Sequence, residues 1–100
     1  MRLTIDQTRS VLTAVSRSIN GMFEVYLFGS RLDDQARGGD VDLLIETDDH
    51  LPLLDQARIK IALEADLGLP VDIVAYDRRI ARTPFQVIAR SQAIKLKAPA

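Results

Sequence analysis

The order of hydrophobic patterns along the chain predicts an α+β (mixed α/β) fold, in which helices pack on a small mixed β-sheet. Helical and strand patterns follow one another as α-β-β-α-β-α, and a last short apolar stretch suits an edge strand. The segment between the second and third strands is long enough for a crossover helix, which favours a parallel pair. The shorter segment between the first two strands contains a Gly-Gly turn and favours an antiparallel pair. We expect residues 1–100 to form a single domain.

The first half of the chain predicts one helix and two strands. Residues 4–20 have apolar side chains at helical spacing, and Thr4 and Gln7 stand at the positions of a capping box. The stretches at 23–28 (FEVYLF) and 41–45 (VDLLI) are short, apolar and rich in β-branched or aromatic residues. Such stretches are typical of buried strands.

The second half predicts a helix, a strand, a further helix and the short edge strand. Residues 51–67 are helical by spacing and carry one apolar face, formed by Leu53, Leu54, Ala57, Ile61, Ala62 and Ala65. Residues 71–76 (VDIVAY) form the third predicted strand. Residues 80–92 form either one helix or two pieces that are separated near Pro84. Residues 93–96 (AIKL) are the edge-strand candidate.

The composition excludes several classes of protein. The chain has no cysteine, so disulfides, thiolate catalysis and zinc sites built on cysteine are absent. A net charge of −1 argues against binding to nucleic acid by phosphate neutralisation, and we expect no direct nucleic-acid contact. No stretch approaches the roughly 18 apolar residues of a membrane helix, and no signal peptide is recognisable. These features predict a cytoplasmic protein without a membrane anchor.

The charges are unevenly distributed along the sequence. Twelve of the fourteen acidic residues lie within 33–77, whereas residues 78–97 carry six basic residues and no acidic one. We consider two interpretations of this basic tail. It is either a docking surface for a partner or an amphipathic closing helix whose cations are merely solvated.

Three aspartates are candidates for a catalytic metal site. Asp40 and Asp42 lie two residues apart at the start of a strand, so their side chains project from the same face. Under the predicted topology Asp72 begins the neighbouring strand at the same edge of the sheet. Three like charges this close favour a bound cation, and oxygen ligands suit Mg²⁺ or Mn²⁺. Two such ions would link the carboxylates to the phosphates of a nucleotide.

Each acidic feature also has a structural interpretation. An Asp-x-Asp at the start of a strand is often turn chemistry, and Asp72 is equally compatible with an edge-strand residue that faces water. The segment before these aspartates adds a second signal for phosphate binding. Gly29 lets backbone approach a ligand, and Ser30 and Arg31 can begin a helical turn whose free N–H groups bind phosphate.

These motifs resemble those of the minimal nucleotidyltransferases in the DNA polymerase beta superfamily. That family has a Gly-Ser pair after the first strand, about ten residues, an Asp-x-Asp, and a third carboxylate on a later strand. The resemblance implies a polymerase-beta-like fold, with catalytic and metal-binding roles for Asp40, Asp42 and Asp72. It also implies that Gly29 and Ser30, with Arg31 beside them, bind a nucleoside triphosphate.

Small relatives of this kind resemble the antitoxin halves of two-gene systems whose partner is a HEPN-domain toxin encoded next door. The resemblance implies two Mg²⁺ ions, ATP as substrate, and transfer of AMP to a hydroxyl of the partner, expected to be tyrosine. A non-catalytic antitoxin that neutralises by binding is the main alternative. A weaker one is a transferase for a small aminoglycoside-like molecule. A homo-oligomer and a hetero-oligomer are both compatible with the sequence.

Overall fold

The computed structural model describes residues 3–28 and 41–97 of the chain. These form α1 (Ile5–Ser18), β1 (Phe23–Phe28), β2 (Val41–Thr47), α2 (Leu53–Leu67), β3 (Val71–Asp77), α3 (Pro84–Ser91) and β4 (Ile94–Lys95). The strands make a four-stranded sheet in the order β3-β2-β1-β4. This arrangement confirms the predicted α+β fold.

The strand directions follow from the lengths of the connections. β1 and β2 are antiparallel, and β2 and β3 are parallel with α2 as the crossover, as predicted. β4 adds an antiparallel edge next to β1, through Leu27 and Tyr26 opposite Ile94 and Lys95. As a result, β1 ends at the edge of the sheet where β2 and β3 begin.

The two faces of the sheet have different partners. α1 and α2 pack on one face and enclose the hydrophobic core, which includes Val11, Val15, Val25, Leu27, Val41, Leu43, Ile45, Ile59, Leu63 and Val71. α3 lies against the opposite face, where Phe28 and Tyr26 alternate with the core residues of β1. None of the described helices combines the length and hydropathy of a membrane-spanning segment.

Local capping explains where the first and third helices begin. Thr4 and Gln7 form the predicted capping box of α1, with Gln7 N–H donating to Thr4 Oγ1 over 3.0 Å. Thr83 and Gln86 form a second capping box, and Pro84 follows as the first helical residue of α3. The third helix therefore begins at Pro84. The prediction of one helix and the prediction of two pieces both placed its start at residue 80 and are wrong there.

The second helix departs from the predicted pattern in its start and in its buried face. α2 begins at Leu53, two residues later than predicted, and Pro52 is its N-cap, with φ −59° and ψ 149°. The six residues of the predicted apolar face are all exposed. The buried residues are Ile59 and Leu63, which pack on the sheet. α2 carries apolar residues on more than one side. The prediction from spacing chose the side with more apolar residues, whereas the side with Ile59 and Leu63 faces the core.

Candidate active site

The edge of the sheet where β1 ends and β2 and β3 begin brings two of the candidate carboxylates together. Asp42 is the register partner of Phe28 on one side and of Asp72 on the other. Register partners on neighbouring strands project from the same face, and their Cα atoms lie about 5 Å apart. Asp42 and Asp72 are therefore adjacent on the face that α1 and α2 leave open.

The two aspartates differ in exposure. Asp42 lies on a central strand and is half-buried, whereas the side chain of Asp72, on the edge strand, is 57% exposed. Asp72 can therefore be reached by a large molecule from solvent.

The remaining predicted site residues lie outside the described part of the chain. These are Gly29, Ser30, Arg31 and Asp40. Phe28 and Val41, which flank their segment, both lie at the same edge as Asp42. The site roles of all these residues stay predictions.

A lysine and a glutamate of α2 contact the beginning of β3. Lys60 Nζ donates to the carbonyl of Val71, lies 3.2 Å from Glu64 Oε2 and lies 3.9 Å from Asp72 Oδ1. Glu64 Oε2 accepts from Val71 N–H over 2.9 Å. The Val71 N–H and the Lys60 ammonium hold the pKa of Glu64 below its ordinary value. Both backbone groups of Val71 are thus bound by α2 side chains.

The face of the sheet that carries the acidic pair also carries aromatic and cationic side chains. The ring of Phe85 on α3 meets the ring of Phe28 edge to face, with centroids 6.3 Å apart. The Arg82 guanidinium lies 4.9 Å above the centre of the Tyr76 ring. Phe28 is opposite Asp42, whereas Tyr76 lies on the same face as Asp72 but four residues further along β3.

Glu46 is the centre of an ionic network that binds α3 and the segment before it to the sheet. Its side chain is 4% exposed and lies 3.0 Å from Arg82, 3.3 Å from Arg90 and 3.6 Å from Arg78. Arg90 also stacks over Tyr26 at 4.0 Å. A buried carboxylate requires such partners, because an unpaired one would be strongly unfavourable.

Most cations of the basic tail pair with carboxylates of β1, β2 and β3 and of the turn after β2. Arg78 also bonds Glu24 and Asp48, and Lys95 pairs with Glu24, whose pKa the Lys95 hydrogen bond holds below its ordinary value. Arg79 binds Asp77 through its side chain and its N–H. The two predicted interpretations of the tail, a docking surface and a helix with solvated cations, did not include these intramolecular ion pairs. Most of its cations are structural partners within the molecule.

Comparison with known families decides where the chain belongs. Residues 9–97 match the model of the family described as "Nucleotidyltransferase domain". The chain belongs to this family. The match spans all four strands and confirms the predicted nucleotidyltransferase identity.

Individual relatives of this nucleotidyltransferase have related descriptions. The protein adenylyltransferase MntA of Thermococcus cleftensis is 36% identical over 76 residues, which are 72% of this chain and 77% of that protein. A chain in the crystal structure of a toxin-antitoxin with AMP-PNP is 25% identical, with a TM-score of 0.73 over 97% of this chain and 75% of that one. A chain in the structure of tri-AMPylated Shewanella oneidensis HEPN toxin in complex with MNT antitoxin is 22% identical, with a TM-score of 0.69 over 96% and 74%. These likenesses agree with a minimal nucleotidyltransferase fold.

The carboxylates of this nucleotidyltransferase fit a hard divalent cation. Asp42 and Asp72 offer oxygen donors side by side on one face, which is the donor type that Mg²⁺ prefers. Within residues 3–28 and 41–97 no group of three or more metal-ligating side chains is present. The predicted metal site has three carboxylates, and its third, Asp40, lies outside the described residues.

The sequence did not identify two sets of contacts made by the strands that carry the candidate site, one at Lys60 and Glu64 and one at Glu46. Lys60 and Glu64 had a local signal, since an oppositely charged pair at i and i+4 on a helix is recognisable, but nothing in the sequence linked it to Asp72. A glutamate that follows three consecutive apolar residues of β2 was the signal for the buried Glu46. Its arginine partners are more than thirty positions away, so the network could not be assigned from spacing.

Proposed function

We propose that this nucleotidyltransferase is an antitoxin that moves AMP from ATP to a hydroxyl, expected to be tyrosine, of a HEPN-domain partner encoded next door. The observation that carries the proposal is the adjacent pair Asp42 and Asp72 at an open edge of the sheet. The Thermococcus relative is named an adenylyltransferase, which supports AMP as the transferred group. The AMPylated toxin in the Shewanella complex supports a HEPN-domain protein as the acceptor. The AMP-PNP in a similar structure supports ATP as donor.

The proposed reaction is an in-line displacement at the α-phosphorus of ATP. The acceptor oxygen forms a bond to this phosphorus, the bond to the bridging oxygen breaks, and pyrophosphate leaves. Asp72 accepts the proton of the acceptor hydroxyl, since its side chain is more exposed than that of the half-buried Asp42 and is more open to an incoming protein. Gly29, Ser30 and Arg31 hold the triphosphate.

Asp40, Asp42 and Asp72 would together hold two Mg²⁺ ions. Bound Mg²⁺ would stabilise the charge on the phosphoryl group and on both reacting oxygens. Removal of divalent cations with EDTA should therefore stop transfer, and Mg²⁺ or Mn²⁺ should restore it.

The accessibility of the site supports a protein acceptor over a small molecule. The Asp72 side chain is 57% exposed, and Phe85, whose ring meets that of Phe28 opposite Asp42, is also 57% exposed. A tyrosine on the surface of another protein can approach such an edge without a closed pocket. A small hydroxylated molecule would need more enclosing contacts for tight binding.

A coupled assay for pyrophosphate tests the proposed reaction. The protein is incubated with ATP, Mg²⁺ and the purified product of the adjacent gene, and pyrophosphate is followed with time. We expect release that depends on the partner and stops when its acceptor hydroxyls are consumed. The Asp42→Asn protein should release no pyrophosphate in response to the partner. The Asp66→Asn protein, which lacks an exposed carboxylate of α2, should release it normally. Absence of partner-dependent release would contradict the proposal.

Exposed apolar side chains favour a second candidate, an antitoxin that neutralises its partner by contact alone. Leu53, Leu54 and Ile61 on α2 are 63–79% exposed, and Val87 and Ile88 on α3 are more than half exposed. Large apolar side chains that are exposed in this way are suited to covering by another protein. The double change Asp42→Asn and Asp72→Asn separates the candidates. It abolishes neutralisation under the catalytic proposal and preserves it under contact alone.

A further inference from the structure

We propose that Lys60 and Glu64 of α2 are positioning residues that hold Asp72 in place for nucleotidyl transfer. The inference rests on the proposed function, because Asp72 acts there on the acceptor hydroxyl. Neither residue touches the reacting atoms in this proposal. Their role is to fix the first two residues of β3 relative to Asp42 on β2.

The contacts form a bracket around the Val71 peptide groups. Glu64 Oε2 accepts from Val71 N–H over 2.9 Å, and Lys60 Nζ donates to the Val71 carbonyl. The Lys60–Glu64 ion pair, at 3.2 Å, ties the two side chains of the bracket to each other. Because β3 is an edge strand, these groups of Val71 would otherwise face solvent, and the backbone at the start of the strand would be hydrogen-bonded only on the β2 side.

The part of α2 that carries Lys60 and Glu64 is held in the hydrophobic core. Lys60 and Glu64 each follow a core residue of α2, Ile59 and Leu63, which are 1% and 0% exposed. These two anchor the helix against the sheet through the same core that contains Val71. Displacement of Lys60 or Glu64 would therefore require displacement of well-packed side chains.

The charge of Lys60 adds a second effect on Asp72. Its ammonium lies 3.9 Å from Asp72 Oδ1, whereas Asp42 is the register partner of Asp72 on the neighbouring strand. The two carboxylates repel each other, and the ammonium offsets that repulsion from the α2 side. The contact draws the Asp72 side chain to one orientation at the edge of β3. Small misplacement of a catalytic group is costly, about a hundredfold in rate for 1 Å.

Kinetics of four variants test the positioning role. Lys60→Met keeps the aliphatic stem and removes the ammonium, and Lys60→Arg keeps a cation. Arg58→Met is the matched control, because Arg58 is a cation on the same helix that pairs with Asp55 instead of β3. We expect Lys60→Met and Glu64→Ala to lower kcat by roughly tenfold with the KM for ATP within about twofold. Lys60→Arg should recover most of the rate, and Arg58→Met should match the wild type.

Amide hydrogen exchange supplies a measurement that does not depend on activity. Glu64→Ala removes the carboxylate that accepts from Val71 N–H, so this amide should exchange at least about tenfold faster, while amides in the middle of β2 keep their protection. Exchange of Val71 that is unchanged in Glu64→Ala would overturn the inference, even if the wild type transferred no AMP and the proposed function itself had failed. In a wild type that does transfer AMP, a Lys60→Met kcat within twofold of normal, or equal losses in Lys60→Met and Arg58→Met, would overturn it too.

Discussion

Asp42 and Asp72 are neighbours because two strands are parallel and in register. Each aspartate is flanked by valine and an aliphatic residue that pack into the core, so the carboxylates are fixed on the opposite face. The sequence could predict this placement, since strand directions followed from connection lengths and side-chain direction from alternation. It could not supply the bracket around Val71, because those contacts depend on how α2 is rotated about its axis.

Replacement of Asp72 should separate chemistry from nucleotide binding. Asp72→Asn removes the proposed acceptor of the hydroxyl proton, so we expect the rate of AMP transfer to fall by about a hundredfold or more. Its exposed position argues that the fold tolerates the change, and ATP affinity should stay within a few-fold. Single-turnover kinetics and calorimetric ATP titration measure the two quantities. A normal transfer rate in a folded Asp72→Asn protein would exclude this role.

Asp77 should link stability to pH at the opposite end of β3. Hydrogen bonds from the Arg79 side chain and N–H lower the pKa of Asp77 from 3.8 to about 2. Because the folded state favours the ionised form, this contribution to stability is present above the ordinary pKa and is lost as the pH falls towards 2. Urea unfolding of the wild type and of Asp77→Asn should differ at pH 6 and converge between pH 4 and pH 2. A difference that is independent of pH would contradict the assignment.

At the scale of elements, capping and packing control different properties. Capping boxes at Thr4 and Thr83 determine where α1 and α3 begin, and both can be recognised in four residues of sequence. The inward face of α2 depends instead on the whole sheet beneath it. Its apolar residues surround the helix, so the sequence could locate the element but not its orientation. The partners of the basic tail were not predicted either, because they are distant in sequence and meet the tail only through tertiary packing.

A matched pair of substitutions tests the observed orientation of α2. Ile59 is 1% exposed and Ile61 is 68% exposed on the same helix. Ile59→Ala should lower the free energy of unfolding by about 3 kcal/mol, because it leaves a cavity in the core. Ile61→Ala should change it by less than about 0.5 kcal/mol. Urea denaturation measures both, and a larger cost for Ile61→Ala would favour the predicted face over the observed one.

The ionic network around Glu46 should be required for the attachment of α3. Glu46→Gln keeps the shape and removes the charge that Arg78, Arg82 and Arg90 share. Because these arginines are partly exposed and can be rehydrated, we expect a loss of about 2 kcal/mol, at the low end for a buried ionic partner. Asp66→Asn, on the surface of α2, is the control and should be nearly neutral. Equal stability of the two variants in urea would show that the network does not hold α3.

At the scale of the whole molecule, the sheet separates stability from the proposed chemistry. One face carries α1, α2 and the hydrophobic core, while the other carries the acidic pair, the aromatic groups and α3. The cations of the basic tail mostly pair with carboxylates within the molecule, among them Glu24, Glu46 and Asp77. The exposed apolar residues of α2 and α3 remain the surfaces most suited to a partner. Assignment of residues 1–100 to one domain stays a prediction.

The intact mass of the partner protein is the most direct test of the central claim. After incubation of the HEPN partner with ATP, Mg²⁺ and this nucleotidyltransferase, we expect one or more AMP additions, localised by peptide mapping to tyrosine. The Asp42→Asn protein should still bind the partner and add no AMP, whereas the Asp66→Asn protein should modify it normally. A partner that is neutralised while its mass stays unchanged with every nucleotide tested would contradict transfer and establish neutralisation by contact.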